Sequence, residues 1–136
     1  MTILIVDDEK VYRLLLRDLL SQRGYDIVQA EDGQEAISKM EMMKIDFIIS
    51  DVYMPVMDGF KFHQAVRARP EWESIPFLFV SAYDDHHTLD IIKKPKQEAF
   101  LKKGRPTSEL LDWIKYLATP EEDRPRVKPG SSLRSL

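Results

Sequence analysis

The chain has no cysteine and only five glycines among its 136 residues. Without cysteine, disulfides and thiolate metal sites are excluded. No apolar run approaches the length of a membrane span. The first residues lack the basic segment and the long apolar core of a secretory signal, so we expect a cytoplasmic protein without a membrane partner. The formal net charge is −3, which argues against direct nucleic-acid binding, because such surfaces are basic.

What the chain does have is a regular alternation of short apolar runs and helical patterns. Hydrophobic residues make up 43% of the sequence, which suffices for the core of one domain. The runs predicted to be strands are Thr2–Val6, Asp26–Ala30, Asp46–Ser50, Pro76–Val80 and Ala99–Lys102. A strand–helix alternation repeated five times predicts an α/β fold, a doubly wound parallel sheet with helices on both faces.

Five helices are predicted to follow these strands. The first ends near Gly24, and the others cover approximately 33–41, 59–69, 85–94 and 107–117, with glycine and proline marking several of their ends. Apolar residues at helical spacing predict the buried faces. For the first helix these are Val11, Leu14, Leu15 and Leu19, and for the fifth they are Leu110, Leu111, Ile114 and Leu117.

The end of the chain has a different composition. Residues 119–136 include Pro120, Pro125 and Pro129, with serines and mixed charges and little apolar content. Such a composition is typical of segments that do not build a core. We therefore predict a domain over residues 1–118 and a flexible tail or linker over 119–136. Two interpretations stay open, a frayed terminus or a linker to an output domain.

Acidic side chains stand where two of the predicted strands end. Asp7 and Asp8 follow the first strand, and Asp51 follows the third. The carboxyl ends of parallel strands share one edge of the sheet, where ligands bind in folds of this kind. Three carboxylates at one edge favour a hard divalent cation such as Mg²⁺. For Asp7 and Asp8 alone, interaction with the positive end of the first helix is an alternative explanation.

Two further polar residues follow the remaining predicted strands. Ser81 comes after the fourth strand, and Lys103 comes directly after the fifth. A hydroxyl and an ammonium group can both contact a phosphate. One such residue at a strand end is usually a solvated loop residue, but together with the acids they indicate a phosphate-handling site.

These residues match those of a known family, and the chain resembles the receiver domain of two-component response regulators over about residues 2–117. The matching segments are Ile3–Glu9, Gly24–Tyr25, Glu31–Ala36, Asp51–Gly59, Val80–Ala82 and Phe100–Lys103. The resemblance implies a flavodoxin-like five-stranded sheet in the order 2-1-3-4-5 with five helices. It also implies a signalling switch rather than an enzyme, one that takes part only in its own phosphorylation and dephosphorylation.

The resemblance assigns chemistry to four residues at the acidic edge. Asp51 would be the phosphoacceptor, forming an acyl phosphate by nucleophilic attack. Asp7 and Asp8 would hold Mg²⁺, with Mn²⁺ as the alternative ion. Asp51 and the backbone carbonyl of Tyr53 would complete the protein ligands. The phosphoryl group would come from a histidine kinase or a phosphotransfer protein.

The resemblance also assigns a response to phosphorylation. Lys103 would pair with Asp51 and then with the phosphate, and Ser81 would hydrogen-bond a phosphoryl oxygen. Phe100 would be the aromatic switch residue that turns inward with Ser81. The surface formed by the fourth helix, fifth strand and fifth helix would then change for an unknown output domain or protein, or for a homodimer partner.

Several alternatives accompany this interpretation. Lys102 competes with Lys103 for the lysine role, because neighbours in a strand point to opposite faces; the family spacing favours Lys103. Gly104 stands where the family usually has proline, and residues 94–98 replace the usual Gly-Ala before the fifth strand. These departures favour, as the alternative function, a protein-interaction module that works without phosphate. A hydrolase would need a general acid or base beside Asp51, and the sequence offers no evident candidate.

Overall fold

A computed structural model of the chain describes residues 1–83 and 90–130 and shows one parallel sheet. The strands are β1 (Thr2–Val6), β2 (Asp26–Ala30), β3 (Phe47–Asp51), β4 (Phe77–Ser81) and β5 (Glu98–Lys102). The helices are α1 (Lys10–Ser21), α2 (Gly33–Met42), α3 (Gly59–Arg67) and α4 (Thr107–Ala118). The strand order is β2-β1-β3-β4-β5, and every neighbouring pair is parallel. The predicted doubly wound α/β fold and its strand order are confirmed.

The strands end one residue later than predicted at two places that matter for the site. β3 ends at Asp51 and β4 ends at Ser81, so both residues belong to the sheet. Asp51 lies beside Val80 of β4 in the strand register. The backbone of these two residues is therefore fixed by the strand ladder.

Two apolar layers cover the faces of the sheet. On one face, buried residues of α2 and α3, among them Ile37 and Phe62, pack against β1, β3 and β4. On the other face, Leu16 and Leu20 of α1 and Ile114 of α4 complete the second cluster. β3 and β4 are buried along their whole length, which explains their continuous apolar sequence.

The described residues contain four α-helices, whereas five were predicted. The predicted helix over Asp85–Lys94 begins in residues 84–89, which lie outside the described part of the chain. Residues 90–94 form turns and bends. The amides of Lys93 and Lys94 donate hydrogen bonds of 2.9 and 2.8 Å to Oε1 of the buried Glu98, so they are not available for helical bonds. Proline follows at position 95.

The predicted buried face of α1 is only partly correct: Leu19 packs against the second apolar cluster, but two of the other predicted residues are exposed. Val11 and Leu15 are 77% and 53% exposed, whereas Leu16 and Leu20 are buried. Leucines occupy several adjacent positions of this helix, so spacing alone does not choose between neighbouring faces. Contact with the sheet buries the face of α1 that carries Leu16, Leu20 and also Arg13.

The prediction for the last helix is confirmed, since Leu110, Ile114 and Leu117 of α4 are buried and Leu111 packs beside them. After α4, Glu121–Asp123 form a short 3₁₀ turn. Residues 119–130 lie against α4, and the flexibility predicted for 119–136 stays a prediction. None of the helices in the described ranges combines the length and apolar character needed to cross a membrane.

Candidate functional site

Three carboxylates meet at the carboxyl edge of the sheet. Asp7 follows β1, is 1% exposed, and donates its N–H to Ala30 O at 3.0 Å. Asp51 ends β3 and is 7% exposed, whereas Asp8 is exposed. One oxygen from each of these carboxylates lies within 4.8 Å of the other two. The structure thus brings together the three acids predicted from the sequence.

The Asp51 side chain is oriented by the turn that follows β3. Its Oδ1 accepts a 2.7 Å hydrogen bond from the Val52 N–H. The Gly59 N–H, at the start of α3, donates to Val52 O at 2.7 Å. A Cβ at Gly59 would lie 2.8 Å from Val52 Cα and would also meet the Asp51 carbonyl oxygen. Glycine is therefore required here by close approach to the backbone that carries Asp51.

Lys103 brings a positive charge to these acids. Its N–H donates to Ser81 O at 2.8 Å, which continues the β4–β5 pairing past the end of β5. Its Nζ lies 2.8 Å from Asp7 Oδ2 and 3.2 Å from Asp51 Oδ2. The ring centroid of Tyr12 lies 4.5 Å from the same Nζ, a cation–π distance.

Of the two lysines considered, Lys103 is the one that contacts Asp51 in the structure. Lys102 is the last residue of β5, pairs in register with Ser81 and is exposed. The side chain of Lys103 is only 12% exposed. The geometry agrees with the strand alternation, which sends the two side chains in opposite directions.

Burial and mutual charge set the protonation of this cluster. Burial, with a contribution from the charge of Asp51, raises the pKa of Asp7 to about 6. Burial also raises the pKa of Asp51, although Lys103 opposes this shift. Burial would lower the pKa of Lys103, but Asp7 and Asp51 outweigh it and raise that pKa above its ordinary value. The cluster thus favours a bound cation, which would stabilise the ionised carboxylates.

The donor set fits a hard divalent cation. Mg²⁺ prefers oxygen ligands and commonly takes one or two carboxylates with waters and phosphate oxygens. Asp7 Oδ2 is buried, and among the described residues its close partner is the ammonium group of Lys103, whose Nζ forms an ion pair with it at 2.8 Å. Buried acceptors are normally satisfied. The oxygen can still accept from a metal, and three carboxylate oxygens within 4.8 Å of one another are a suitable donor set for one.

The other residues predicted from the resemblance lie around this cluster. Ser81 is fully buried, and its Oγ accepts a 3.1 Å hydrogen bond from the Tyr83 N–H. Phe100 lies beside Phe79 in the sheet and is partly buried against the first apolar cluster. Tyr53 lies two residues after Asp51, and its ring packs edge-on against Tyr83 at 5.7 Å. The roles assigned to these residues stay predictions.

Three residues of this neighbourhood were missed in the sequence. Glu9 Oε2 lies 3.4 Å from Lys103 Nζ, and Tyr12 lies under the same ammonium group. Arg13 is buried and donates from Nη1 to the Asp7 carbonyl oxygen at 2.6 Å. All three lie on or just before α1, within seven residues of the acids, but only the tertiary packing shows which side chains turn toward them.

Comparison with known proteins identifies the family. The family model described as response regulator receiver domain matches residues 3–115. The chain therefore belongs to the receiver domains of two-component systems.

Individual relatives agree with this assignment. Chemotaxis protein CheV3 of Helicobacter pylori is 34% identical over 74% of this chain, but the match spans only 36% of CheV3. The chemotaxis protein CheY4 of Vibrio cholerae shares the fold with a TM-score of 0.78 and 32% identity, covering 85% of this chain and 97% of CheY4. Response regulator TrrA of Thermotoga maritima, solved in complex with Mg²⁺-BeF, gives a TM-score of 0.73 and 30% identity, with 85% and 97% of the two chains covered.

Proposed function

We propose that this receiver domain accepts a phosphoryl group on Asp51 from a histidine kinase or a phosphotransfer protein, in a Mg²⁺-dependent reaction, and so switches a partner-binding surface. The proposal rests on one observation above all. Asp51 Oδ2 lies 3.2 Å from Lys103 Nζ, inside a cluster that also holds Asp7 and Asp8. Phosphoryl transfer depends chiefly on such positioning and electrostatic stabilisation.

In the transfer step, a carboxylate oxygen of Asp51 forms a bond to phosphorus. The bond between phosphorus and the donor's histidine nitrogen breaks, and that nitrogen keeps the electron pair. The Val52 N–H orients the Asp51 carboxylate through its 2.7 Å hydrogen bond. Lys103 offsets negative charge on the transferred group, because its Nζ already lies between Asp51 and Asp7.

Asp7, Asp8, Asp51 and the Tyr53 carbonyl would hold the Mg²⁺, or Mn²⁺ in its place. When bound, the metal neutralises charge on the phosphoryl oxygens. The Mg²⁺-BeF complex of TrrA supports a metal site of this kind in the family. Arg13 would keep the Asp7 backbone in position through its hydrogen bond to the Asp7 carbonyl.

The response would begin at Ser81 and Phe100. A Ser81 hydroxyl that turns to a phosphoryl oxygen gives up its hydrogen bond from the Tyr83 N–H. Phe100 lies in the adjacent strand β5 and is only partly buried, so an inward turn would bury more of its ring. We propose that β5, the residues before it and α4 form the surface that output proteins or a second copy of the chain read.

The proposal also concerns the phosphoryl donor, the surface on which it docks and the cellular location. Relatives include sensor kinases such as CqsS of Vibrio cholerae, which supports a histidine kinase as the donor. The exposed Val11 and Leu15 on α1 offer apolar surface near the acids for donor docking. We propose a cytoplasmic switch without turnover of an external substrate.

The test is incubation of the folded chain with Mg²⁺ and a small acyl-phosphate donor, followed by intact-mass measurement. We expect a gain of one phosphoryl group that is absent in Asp51→Asn and in wild type with chelator. A folded, Mg²⁺-supplied chain that gains nothing would contradict the proposal. That result would favour the phosphate-independent interaction module, for which Gly104 and the turns at residues 90–94 are the structural signs.

A further inference from the structure

The segment after α4 folds back along that helix. The Asp123 N–H donates to Pro120 O at 2.9 Å, which closes a 3₁₀ turn just beyond the helix. Further on, Pro129 is buried. Gly130, with a φ of 78°, sits so close to the first turn of α4 that a Cβ there would lie 2.7 Å from Glu109 Oε1. Residues 119–130, which we call the strap, therefore retrace α4 from its last turn to its first.

The side chain of Arg124 attaches the strap to the end of α4. The guanidinium of Arg124 donates to Thr119 O at 2.8 Å and to Leu117 O at 3.2 Å. It also lies 5.0 Å from the ring centroid of Tyr116 on α4. The last carbonyls of a helix have no partner within the helix, and arginine can satisfy them. Arg124 thus supplies the hydrogen bonds that the end of α4 lacks.

The same side chain also reaches the connection that leads into β5. Arg124 Nη1 donates to Lys96 O at 2.5 Å. Close by, Lys96 Nζ pairs with Glu121 Oε1 at 3.0 Å. That ion pair is largely exposed and contributes little. The Arg124 hydrogen bonds therefore carry the attachment of the strap to two separate elements, α4 and the residues before β5.

The rest of the strap is loosely packed. Between the Arg124 end and the Gly130 end, a cleft of about 380 Å³ separates the strap from α4 and is lined by Tyr116, Lys115, Pro125 and Pro129, among others. Arg126 and Lys128 are exposed. The strap is therefore held at its two ends, by the Arg124 hydrogen bonds and by the buried Pro129, and is open between them.

We infer that the outer face of α4 is a binding surface for an extended, proline-containing segment with an anchoring arginine, and that the strap occupies this surface within the chain. The face becomes accessible to another protein only when the strap leaves. The inference rests on the proposed output surface of β5 and α4 and deepens it, but it depends on contacts around Arg124 and not on phosphorylation of Asp51. It is therefore tested without a phosphodonor.

The first test compares hydrogen exchange in the full chain and two matched variants. Arg124→Ala removes the anchor, whereas Arg126→Ala removes an exposed arginine of the same strap that has no hydrogen bond or ion pair within the described residues. We expect the backbone amides of residues 123 and 124 to exchange about tenfold faster in Arg124→Ala than in wild type. The reason is that the variant loses the hydrogen bonds donated by the charged guanidinium. Arg126→Ala should match wild type. Equal exchange in both variants would overturn the inference.

A second test uses a synthetic peptide of residues 119–130, followed by NMR titration. The peptide should shift resonances of Lys115 and Tyr116 in the Arg124→Ala chain, whose face is uncovered, and leave wild type unaffected. A peptide that itself carries Arg124→Ala should shift neither chain. Equal shifts in wild type and Arg124→Ala, or none with the native peptide, would show that the strap does not compete for this face. An unchanged far-ultraviolet circular dichroism spectrum checks that the variant keeps its helices and sheet.

Discussion

Lys103 Nζ lies 3.2 Å from Asp51 Oδ2 in the unphosphorylated chain, although 52 residues separate the two positions in sequence. The relationship arises because β3 and β5 flank β4, and the Lys103 N–H extends the pairing with Ser81 beyond the strand. The ammonium group also faces Asp7. One cation therefore partly neutralises two acids at the place where a phosphoryl group would arrive.

Replacing Lys103 tests whether this cation takes part in phosphorylation. We expect Lys103→Met to lower the initial rate of phosphoryl incorporation by about a hundredfold, the loss typical of removing one preorganised charge or donor from a transition state. Lys102→Met, one residue away on an exposed side chain, is the matched control and should change the rate by less than about twofold. Equal losses in the two variants, measured with the same donor and Mg²⁺, would contradict the assignment to Lys103.

The pKa of Asp7 predicts a pH dependence of metal binding. Burial raises that pKa from 3.8 to about 6, so Asp7 takes up a proton as the pH falls through this value. A metal must displace the proton. We therefore expect Mg²⁺ affinity, measured by titration calorimetry, to be about tenfold weaker near pH 5 than near pH 7. An affinity that stays constant over this range would show that Asp7 is not a ligand or is already ionised.

The lowered pKa of the buried Glu98 predicts that the folding stability of the chain also depends on pH. Burial alone would raise its pKa, but hydrogen bonds from His63, the Lys94 amide, Arg67 and the Lys93 amide lower it from 4.5 to about 2. A carboxyl group whose pKa is lowered by folding binds protons more weakly in the folded state than in the unfolded state. Glu98 therefore stabilises the folded chain above pH 4.5, and this contribution is lost as the pH falls toward 2.

Replacing Glu98 by glutamine tests this contribution. We expect Glu98→Gln to lower the free energy of unfolding at pH 7 by about 3 kcal/mol, because it leaves the largely buried Arg67 without its carboxylate partner. The variant should also lose less stability than wild type between about pH 4.5 and 3. Glu73→Gln is the control, since Glu73 is exposed and makes no side-chain ion pair in the part of the chain described. Urea unfolding measures both, and parallel pH profiles for wild type and Glu98→Gln would refute the prediction.

The backbone conformation of Gly104 predicts that proline, the usual residue at this position in the family, does not fit this loop. Its φ is 94°, whereas proline fixes φ near −65°. A Cβ at Gly104 would meet nothing within 4 Å, so the obstacle is the backbone conformation. We expect Gly104→Ala to cost about 1–2 kcal/mol and Gly104→Pro to cost more, with a slower phosphorylation because Lys103 is displaced. A Gly104→Pro chain as stable as wild type in urea would show that the loop readily adopts another conformation.

The sequence predicts the sheet and the acidic edge well, for identifiable reasons. Asp51 ends an uninterrupted apolar run and precedes a proline and an Asp-Gly pair, so its position at the end of a strand follows from local chemistry. Asp7 and Asp8 end the first apolar run in the same way. The topology of a parallel sheet then brings these strand ends together.

Features that depend on tertiary packing were not predictable in this way. The leucine-rich α1 presents several apolar faces, and only contact with the sheet decides that Leu16 is buried and Leu15 exposed. Glu98 looked like a polar residue before a strand, but its carboxylate engages the amides of Lys93 and Lys94, where a helix had been predicted. Likewise, Arg124 gave no local sign that its guanidinium reaches three backbone carbonyls.

The central claim is that Asp51 itself receives the phosphoryl group, and locating the modification tests it most directly. The chain is phosphorylated with Mg²⁺ and a small donor, reduced with borohydride, which converts an aspartyl phosphate to homoserine, and analysed by peptide mass spectrometry. The account predicts homoserine at position 51 alone and unmodified aspartate at positions 7 and 8. Homoserine at another acidic residue, or phosphorylation that persists in Asp51→Asn, would contradict it.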